Sequence, residues 1–198
     1  MTKVFTVVAT IILLFGCLQA KTSEIHFLIK KGGQGQVEYR VFDITSDEGG
    51  EKQRLEIQNL FKDVENNAFL GNKDGLFTHY HEALAYDQQG KLNGRIYGEF
   101  AEIFTVLRLI DDNRYFELNS GKNVSLIWHQ GVLTLSMAYP GKVHKSSEIS
   151  RMVFRTDGIF DQGTSGEITK DRRQTIIDGA NHQNFKLVIK ELADDKQR

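Results

Sequence analysis

Residues 24–44, EIHFLIKKGGQGQVEYRVFDI, decide the fold, because two strand-like runs flank a glycine-rich turn. The first run, residues 24–30, is rich in isoleucine and phenylalanine. The second run, residues 36–44, alternates apolar with polar residues over most of its length. A period of two is typical of a strand with one buried face, and glycine supplies the positive φ angles of a tight turn. The sequence therefore predicts a β-hairpin whose glycines are turn residues and not a phosphate-binding loop.

Two segments outside this hairpin are predicted as helices. In residues 51–68, the large apolar residues fall near helical spacing within a strongly charged background, which is typical of an amphipathic surface helix. Residues 100–110, FAEIFTVLRLI, are long enough and suitably spaced for a second helix.

The rest of the chain is predicted to be rich in strands. The expected strands cover residues 76–87, 92–99, 114–118, 123–129, 132–139, 149–156 and 185–192, with a short one at 175–177. Pro140 ends one of them, because proline cannot donate to a strand ladder. A ladder of strands with about two packed helices predicts the α+β class, with a mostly antiparallel sheet.

The N-terminus has the layout of a secretory signal peptide. Residues 1–3 form a short basic start, residues 4–15 are almost entirely apolar, and Gly16 precedes Cys17, the only cysteine among 198 residues. The stretch LFGC, residues 14–17, resembles the lipobox of bacterial lipoproteins. The resemblance implies that the cysteine receives the lipid.

This resemblance divides the chain into three parts. Residues 1–16 are expected to be a lipoprotein signal peptide, residues 17–23 a lipidated tether, and residues 24–198 a single α+β domain. Two alternatives stay open, namely cleavage after Ala20 to release a soluble secreted protein, and an uncleaved anchor. The second is disfavoured because the apolar run is shorter than the ~20 residues of a spanning helix.

Composition narrows the class of protein further. The formal net charge is −1, and without Lys3 the exported part carries 24 basic and 26 acidic residues. Such a balance gives no support for nucleic-acid binding. Because Cys17 is the single cysteine, the domain is expected to fold without a disulfide.

Several short segments resemble the LppM-type bacterial lipoprotein domain. They are the opening hairpin, the helix at 51–68, YGEFAEIFTVLRLI at 97–110 and MAYPGKVHKSS at 137–147. The last contains Tyr-Pro-Gly-Lys-Val, which matches an element of that family. The resemblance covers residues 24–147 and implies a membrane-anchored α+β domain with an apolar cavity for a lipid-like ligand. It implies no catalytic residues.

His79 and His81 are the candidate metal ligands. On a regular strand they share one face with Cβ atoms roughly 6–7 Å apart, and imidazole suits zinc and copper. A site needs a third ligand, for which the candidates are His26, His129, His144 and His182. The alternative interpretation is two histidines on a solvent-facing strand.

The sequence thus predicts a lipid-anchored protein of the cell envelope, on the extracytoplasmic side of a membrane, that binds an apolar ligand or a protein partner. Catalysis, a cofactor and nucleic acid are not expected. A metal-dependent role through His79 and His81 and a soluble interaction domain are the alternatives. A pocket above about 300 Å³ would favour a ligand, and its candidate aromatic lining is Tyr97, Phe100, Phe104, Trp128 and Tyr139.

Overall fold

The computed structural model describes residues 18–68, 75, 77–103, 106, 124–138, 149–178 and 184–191. The elements, in chain order, are β1 (Leu18–Ile29), β2 (Gly35–Ser46), α1 (Gly50–Glu65), β3 (Thr78–Tyr86), β4 (Leu92–Phe100), β5 (Val124–His129), β6 (Val132–Ala138), β7 (Ile149–Thr156), β8 (Ile159–Phe160), β9 (Glu167–Ile168), β10 (Gln174–Asp178) and β11 (Asn184–Lys190). A short 3-10 turn, Lys31–Gly33, joins β1 to β2 as the glycine-rich segment predicted.

The strands form two sheets. The large sheet has seven strands in the order β3-β4-β2-β1-β7-β10-β9, and the small sheet has four in the order β5-β6-β11-β8. β1 and β7 run parallel, whereas the other neighbours in both sheets run antiparallel. The mostly antiparallel sheet is therefore confirmed.

The main core lies between one face of the large sheet and the small sheet. The apolar side chains of this cluster are fully or nearly fully buried: Ile25, Phe27 and Ile29 from β1, Met152 and Phe154 from β7, Ile177 from β10, Leu133 and Leu135 from β6, Phe160 from β8, and Phe185, Leu187 and Ile189 from β11. The rings of Phe27 and Phe154 stack with centroids 5.0 Å apart. From Ile25 to Ile29, every other residue of β1 enters this core, because side chains alternate between the faces of a strand.

A second, smaller apolar cluster holds α1 against the β3-β4-β2 part of the large sheet. Leu60 and Val64 of the helix are buried with Leu18 and Leu92 of the sheet. The amphipathic helix expected over residues 51–68 is therefore present. Among the described residues, no helix has the length and apolar character needed to cross a membrane.

The predicted tether differs from what the structure shows. Residues 18–23 form the first half of β1 and pair with the end of β2, Leu18 opposite Ser46 and Ser23 opposite Val41. Leu18 is only 6% exposed. The polar run at 21–23 suggested a linker, but it belongs to β1 and pairs with β2, so residues 18–23 are part of the sheet.

The expectation of about two helices is not confirmed, since α1 is the single helix among the elements described. Phe100 ends β4 opposite Gly35, so the predicted second helix begins too early. Ile103 and Val106, the two described residues in this stretch beyond residue 102, are helical and buried in the main core. The remainder of residues 100–110, the strand predicted at 114–118 and the Pro140 segment lie outside the described residues.

Candidate functional site

The face of the large sheet that points away from the main core is polar. β1 presents Glu24, His26 and Leu28 on this side, while the residues between them enter the core. We call it the open face and define it by the residues that share a side with these three on β4, β2, β7 and β10.

The strand register arranges the open face in three rows that run across the strands. Each row takes one residue from each of β4, β2, β1, β7 and β10, in that order. The first row is Arg95, Arg40, Glu24, Arg151 and Asp178; the second is Tyr97, Glu38, His26, Val153 and Ile176; the third is Glu99, Gln36, Leu28, Arg155 and Gln174. Neighbours in a row are close enough for their side chains to interact.

Glu38 binds two guanidinium groups. Arg40 donates from Nε and Nη2 to the two carboxylate oxygens, each at 2.9 Å. Arg95 Nε lies 2.5 Å from Glu38 Oε1. Burial alone would raise the pKa of Glu38, but the hydrogen bonds from Arg40 and the charges of both arginines lower it below 4.5. Glu38 is therefore an ionised acceptor that fixes two arginines side by side.

Glu24 has a similar role on the other side of the first row. Its Oε1 lies 2.6 Å from Arg151 Nε, and its Oε2 lies 2.9 Å from His26 Nε2. Burial works against ionisation, yet the hydrogen bonds from His26 and Arg151 lower the pKa of Glu24. His26 is buried, and its Nδ1 has no hydrogen-bond partner among the described atoms.

The third carboxylate, Glu99, binds no arginine. Hydrogen bonds from His79 Nδ1, Gln36 Nε2 and Tyr97 Oη lower its pKa, with His79 the largest contributor. These contacts are 2.9, 3.0 and 3.0 Å long. Of the three glutamates in the rows, two bind arginines and Glu99 is bound by other donors. A fourth carboxylate, Asp178, lies opposite Arg151 at the end of the first row.

The charged groups of the open face lie at different depths. The side chains of Glu24 and Glu38 are 12% and 16% exposed. The arginines they bind, Arg40, Arg151 and Arg95, are 38%, 48% and 59% exposed. A molecule that approaches this face therefore meets guanidinium groups first, with their carboxylate partners underneath.

The two histidines of the candidate metal site lie at the edge of this face. A β-bulge interrupts the pairing of β3 with β4 between Thr78 and His81, and His79 has a φ of 49°. His79 binds Glu99, and His81 pairs with Tyr97. The regular-strand geometry on which the metal prediction depends is therefore disturbed.

The candidates for a third metal ligand do not complete a site within the described chain. His26 binds Glu24 on β1, and His129 ends β5 in the small sheet. His144 and His182 lie outside the described residues. No group of three or more histidine, cysteine, aspartate or glutamate residues that could hold a metal ion occurs in the described ranges.

A narrow apolar cleft lies between α1 and the large sheet, lined by Leu18, Val41, Ile44, Leu60, Val64 and Ile96, among others. Its interior has room for about one water molecule, far below the few hundred Å³ of a ligand pocket. Of the aromatic residues proposed as a cavity lining, Phe100 is in the main core and Tyr97 is on the open face. Phe104, Tyr139 and the Trp128 side chain lie outside the described residues, as does Cys17.

The arginines and carboxylates of the open face were not predicted as a site. The sequence does show glutamate followed two residues later by histidine in β1 and by arginine in β2. That alternation marks a solvent-facing side. It does not reveal that β1 and β7 are adjacent, which brings Arg151 beside Glu24.

No protein-family model matches the chain, and no curated protein matches it. In fold, the chain is similar to the folded domain of LppM from Mycobacterium tuberculosis, as determined by NMR. The superposition has a TM-score of 0.47 at 10% sequence identity and covers 89% of this chain and 94% of that domain. The weak LppM-like resemblance expected from the sequence is confirmed at this level.

Proposed function

We propose that the protein is an exported lipoprotein that is anchored in a membrane through acyl chains on Cys17 and acts by binding a partner. The observation that carries the anchor is the position of Leu18. This residue is the first of β1, is buried against α1, and directly follows Cys17. The residue that follows Cys17 therefore belongs to the sheet and to its packing against α1.

The position of Leu18 also favours cleavage before Cys17 over cleavage after Ala20. Cleavage before Cys17 leaves β1 whole. Cleavage after Ala20 would remove Leu18 from the apolar cluster and three residues from the strand. Removing a buried leucine from a core costs about 2–5 kcal/mol, so the second route would weaken the attachment of α1.

A lipidated Cys17 would hold the domain directly at the membrane surface. Each buried methylene contributes about 0.8 kcal/mol, and two or more acyl chains make attachment stable. Since β1 starts at the next residue, no flexible segment separates the anchor from the sheet. The end of the large sheet that contains Leu18 and Ser46 would then lie at the level of the lipid headgroups.

The binding role is supported by the open face. Two carboxylates hold three arginines there, and the arginine side chains remain 38–59% exposed. The cleft beside α1, by contrast, is too small for a ligand. A sheet face that presents a row of charged side chains and no pocket suits a macromolecular partner better than a small molecule.

The anchor is tested by the intact mass of the full chain purified from the membrane fraction, beside a Cys17→Ala variant. A mature chain that begins at Cys17 with added acyl mass, and a variant without that mass, is the expected result. An Ala20→Val variant is the matched control, because it blocks processing after residue 20 and leaves the lipobox intact. A wild-type chain that begins at Lys21 without lipid would overturn the anchor.

A further inference from the structure

We propose that the open face docks an acidic segment of a protein partner through Arg95, Arg40 and Arg151. This inference names the partner chemistry of the binding role proposed above. It does not depend on the lipid anchor, so the two can fail separately.

The arginines lie further out than the glutamates that bind them. Glu24 and Glu38 are mostly buried, while the guanidinium groups are 38–59% exposed. Arg95 contacts Glu38 through Nε, and Arg151 contacts Glu24 through Nε and has Asp178 as its other neighbour in the row. Guanidinium groups bind carboxylates in a planar, two-pronged geometry, so a partner's aspartate or glutamate fits these exposed groups.

The glutamates hold the arginines in place before any partner binds. Arg40 and Arg95 are direct cross-strand neighbours, and their like charges would separate them without Glu38 between them. Glu24 holds Arg151 in the same row on the other side. Because the arginine side chains are already ordered, they lose less conformational entropy when a partner binds, and binding is stronger as a result.

The three arginines share one row of the open face. Neighbouring strands are about 4.8 Å apart, so Arg95, Arg40 and Arg151 span roughly 14 Å from β4 to β7. The half-buried Ile176 lies in the adjacent row, next to Arg151, and offers apolar contact. A row of guanidinium groups of this length suits an extended acidic segment better than a single anion.

The test measures the affinity of a fluorescent deca-glutamate peptide for the full chain, in neutral detergent at low ionic strength. Arg95→Gln should weaken binding about tenfold or more. The matched control is Arg155→Gln, which removes the same charge from the same face but at an arginine bound to the neutral Gln174. The control should change affinity less than about threefold.

Glu38→Gln is the more decisive variant, because docking on positioned arginines and attraction by net charge predict opposite changes in peptide affinity. Removing an acid should strengthen binding of an acidic peptide if net charge alone decides it. If Glu38 positions Arg40 and Arg95, its loss should weaken binding by about threefold or more. Glu99→Gln is the matched control, since Glu99 binds no arginine, and it should leave binding equal or stronger.

The proposal is overturned if wild type does not bind the peptide, if Arg155→Gln is as damaging as Arg95→Gln, or if Glu38→Gln strengthens binding as Glu99→Gln does. A tripolyphosphate competitor separates the partner classes. If it displaces the peptide at far lower concentration than unlabelled deca-glutamate does, the face selects phosphate groups and the acidic protein partner is wrong. Far-ultraviolet circular dichroism of each variant checks that the sheets are intact.

Discussion

The two faces of the large sheet are built from the same strands, but apolar packing orders one face and ion pairs order the other. On β1, Phe27 stacks on Phe154 in the main core, whereas the adjacent Leu28 is half-buried among polar neighbours on the open face. The core face is filled by apolar side chains of many shapes. The open face is ordered by ion pairs whose acids are nearly as buried as core residues.

This difference separates stability from recognition. Apolar burial on the core face supplies most of the folding free energy, because that energy scales with the area removed from water. The partly exposed ion pairs of the open face contribute less to stability than apolar burial does. They also hold the guanidinium donors in a fixed arrangement. Variants on each face of the sheet test this difference.

The largest effect is expected from Phe27→Ala on the core face. Truncating a fully buried phenylalanine costs about 3–5 kcal/mol of unfolding free energy. Leu28→Ala, one residue further on the open face, should cost about 1 kcal/mol, since that side chain is only half-buried. Denaturant unfolding measures both. Equal losses would show that the open face is also a packed core.

Gly98→Ala should have the next largest effect. A Cβ at this core-face position would lie 2.8 Å from the ring of Phe77, so the ring or the strand must move, at about 1–3 kcal/mol. Gly163→Ala is the control, because its Cβ would meet Val188 at an ordinary 3.6 Å. A Gly98→Ala protein as stable as the control would contradict the close packing of β3 and β4.

A smaller, pH-dependent effect is expected on the open face. The pKa values of Glu24 and Glu38 are lowered from 4.5 in the folded protein. Their stabilisation is therefore present above pH ~4.5 and is lost as the pH falls through the folded-state values. The double variant Glu24→Gln, Glu38→Gln should be less stable than wild type at pH 7 by about 1–3 kcal/mol, and the difference should shrink in acid. A difference that is constant down to pH 2 would contradict the ionised pairs.

The smallest effect is expected from His79→Ala. The imidazole is 78% exposed, so its contact with Glu99 should contribute less than about 0.5 kcal/mol. Thermal unfolding of the variant with and without added zinc measures this contribution and the metal prediction together. A midpoint that rises with zinc in wild type and not in the variant would restore the metal hypothesis.

The local elements follow from the sequence because their causes are local. The alternation in residues 36–44 and the glycines at 32 and 33 predict β2 and its turn, and the spacing of Leu60 and Val64 predicts α1. The open face could not be predicted, since it depends on a parallel contact between strands separated by more than a hundred residues. The start of β1 was missed because Lys21-Thr22-Ser23 is polar, although Ser23 is fully buried in the sheet.

If Cys17 is lipidated, the end of the sheet that contains Leu18 lies at the membrane surface. Cys17 is the single natural cysteine, and lipidation would consume its thiol. A chain with Asp47→Cys or Gln34→Cys therefore carries one free thiol, to which a fluorophore can be attached. These exposed residues flank the two ends of β2, about 40 Å apart, and Asp47 follows the partner of Leu18. With the full chain in vesicles that contain nitroxide-bearing lipids, a fluorophore at residue 47 should be strongly quenched and one at residue 34 should not. Equal quenching at both sites, or stronger quenching at residue 34, would contradict the claim.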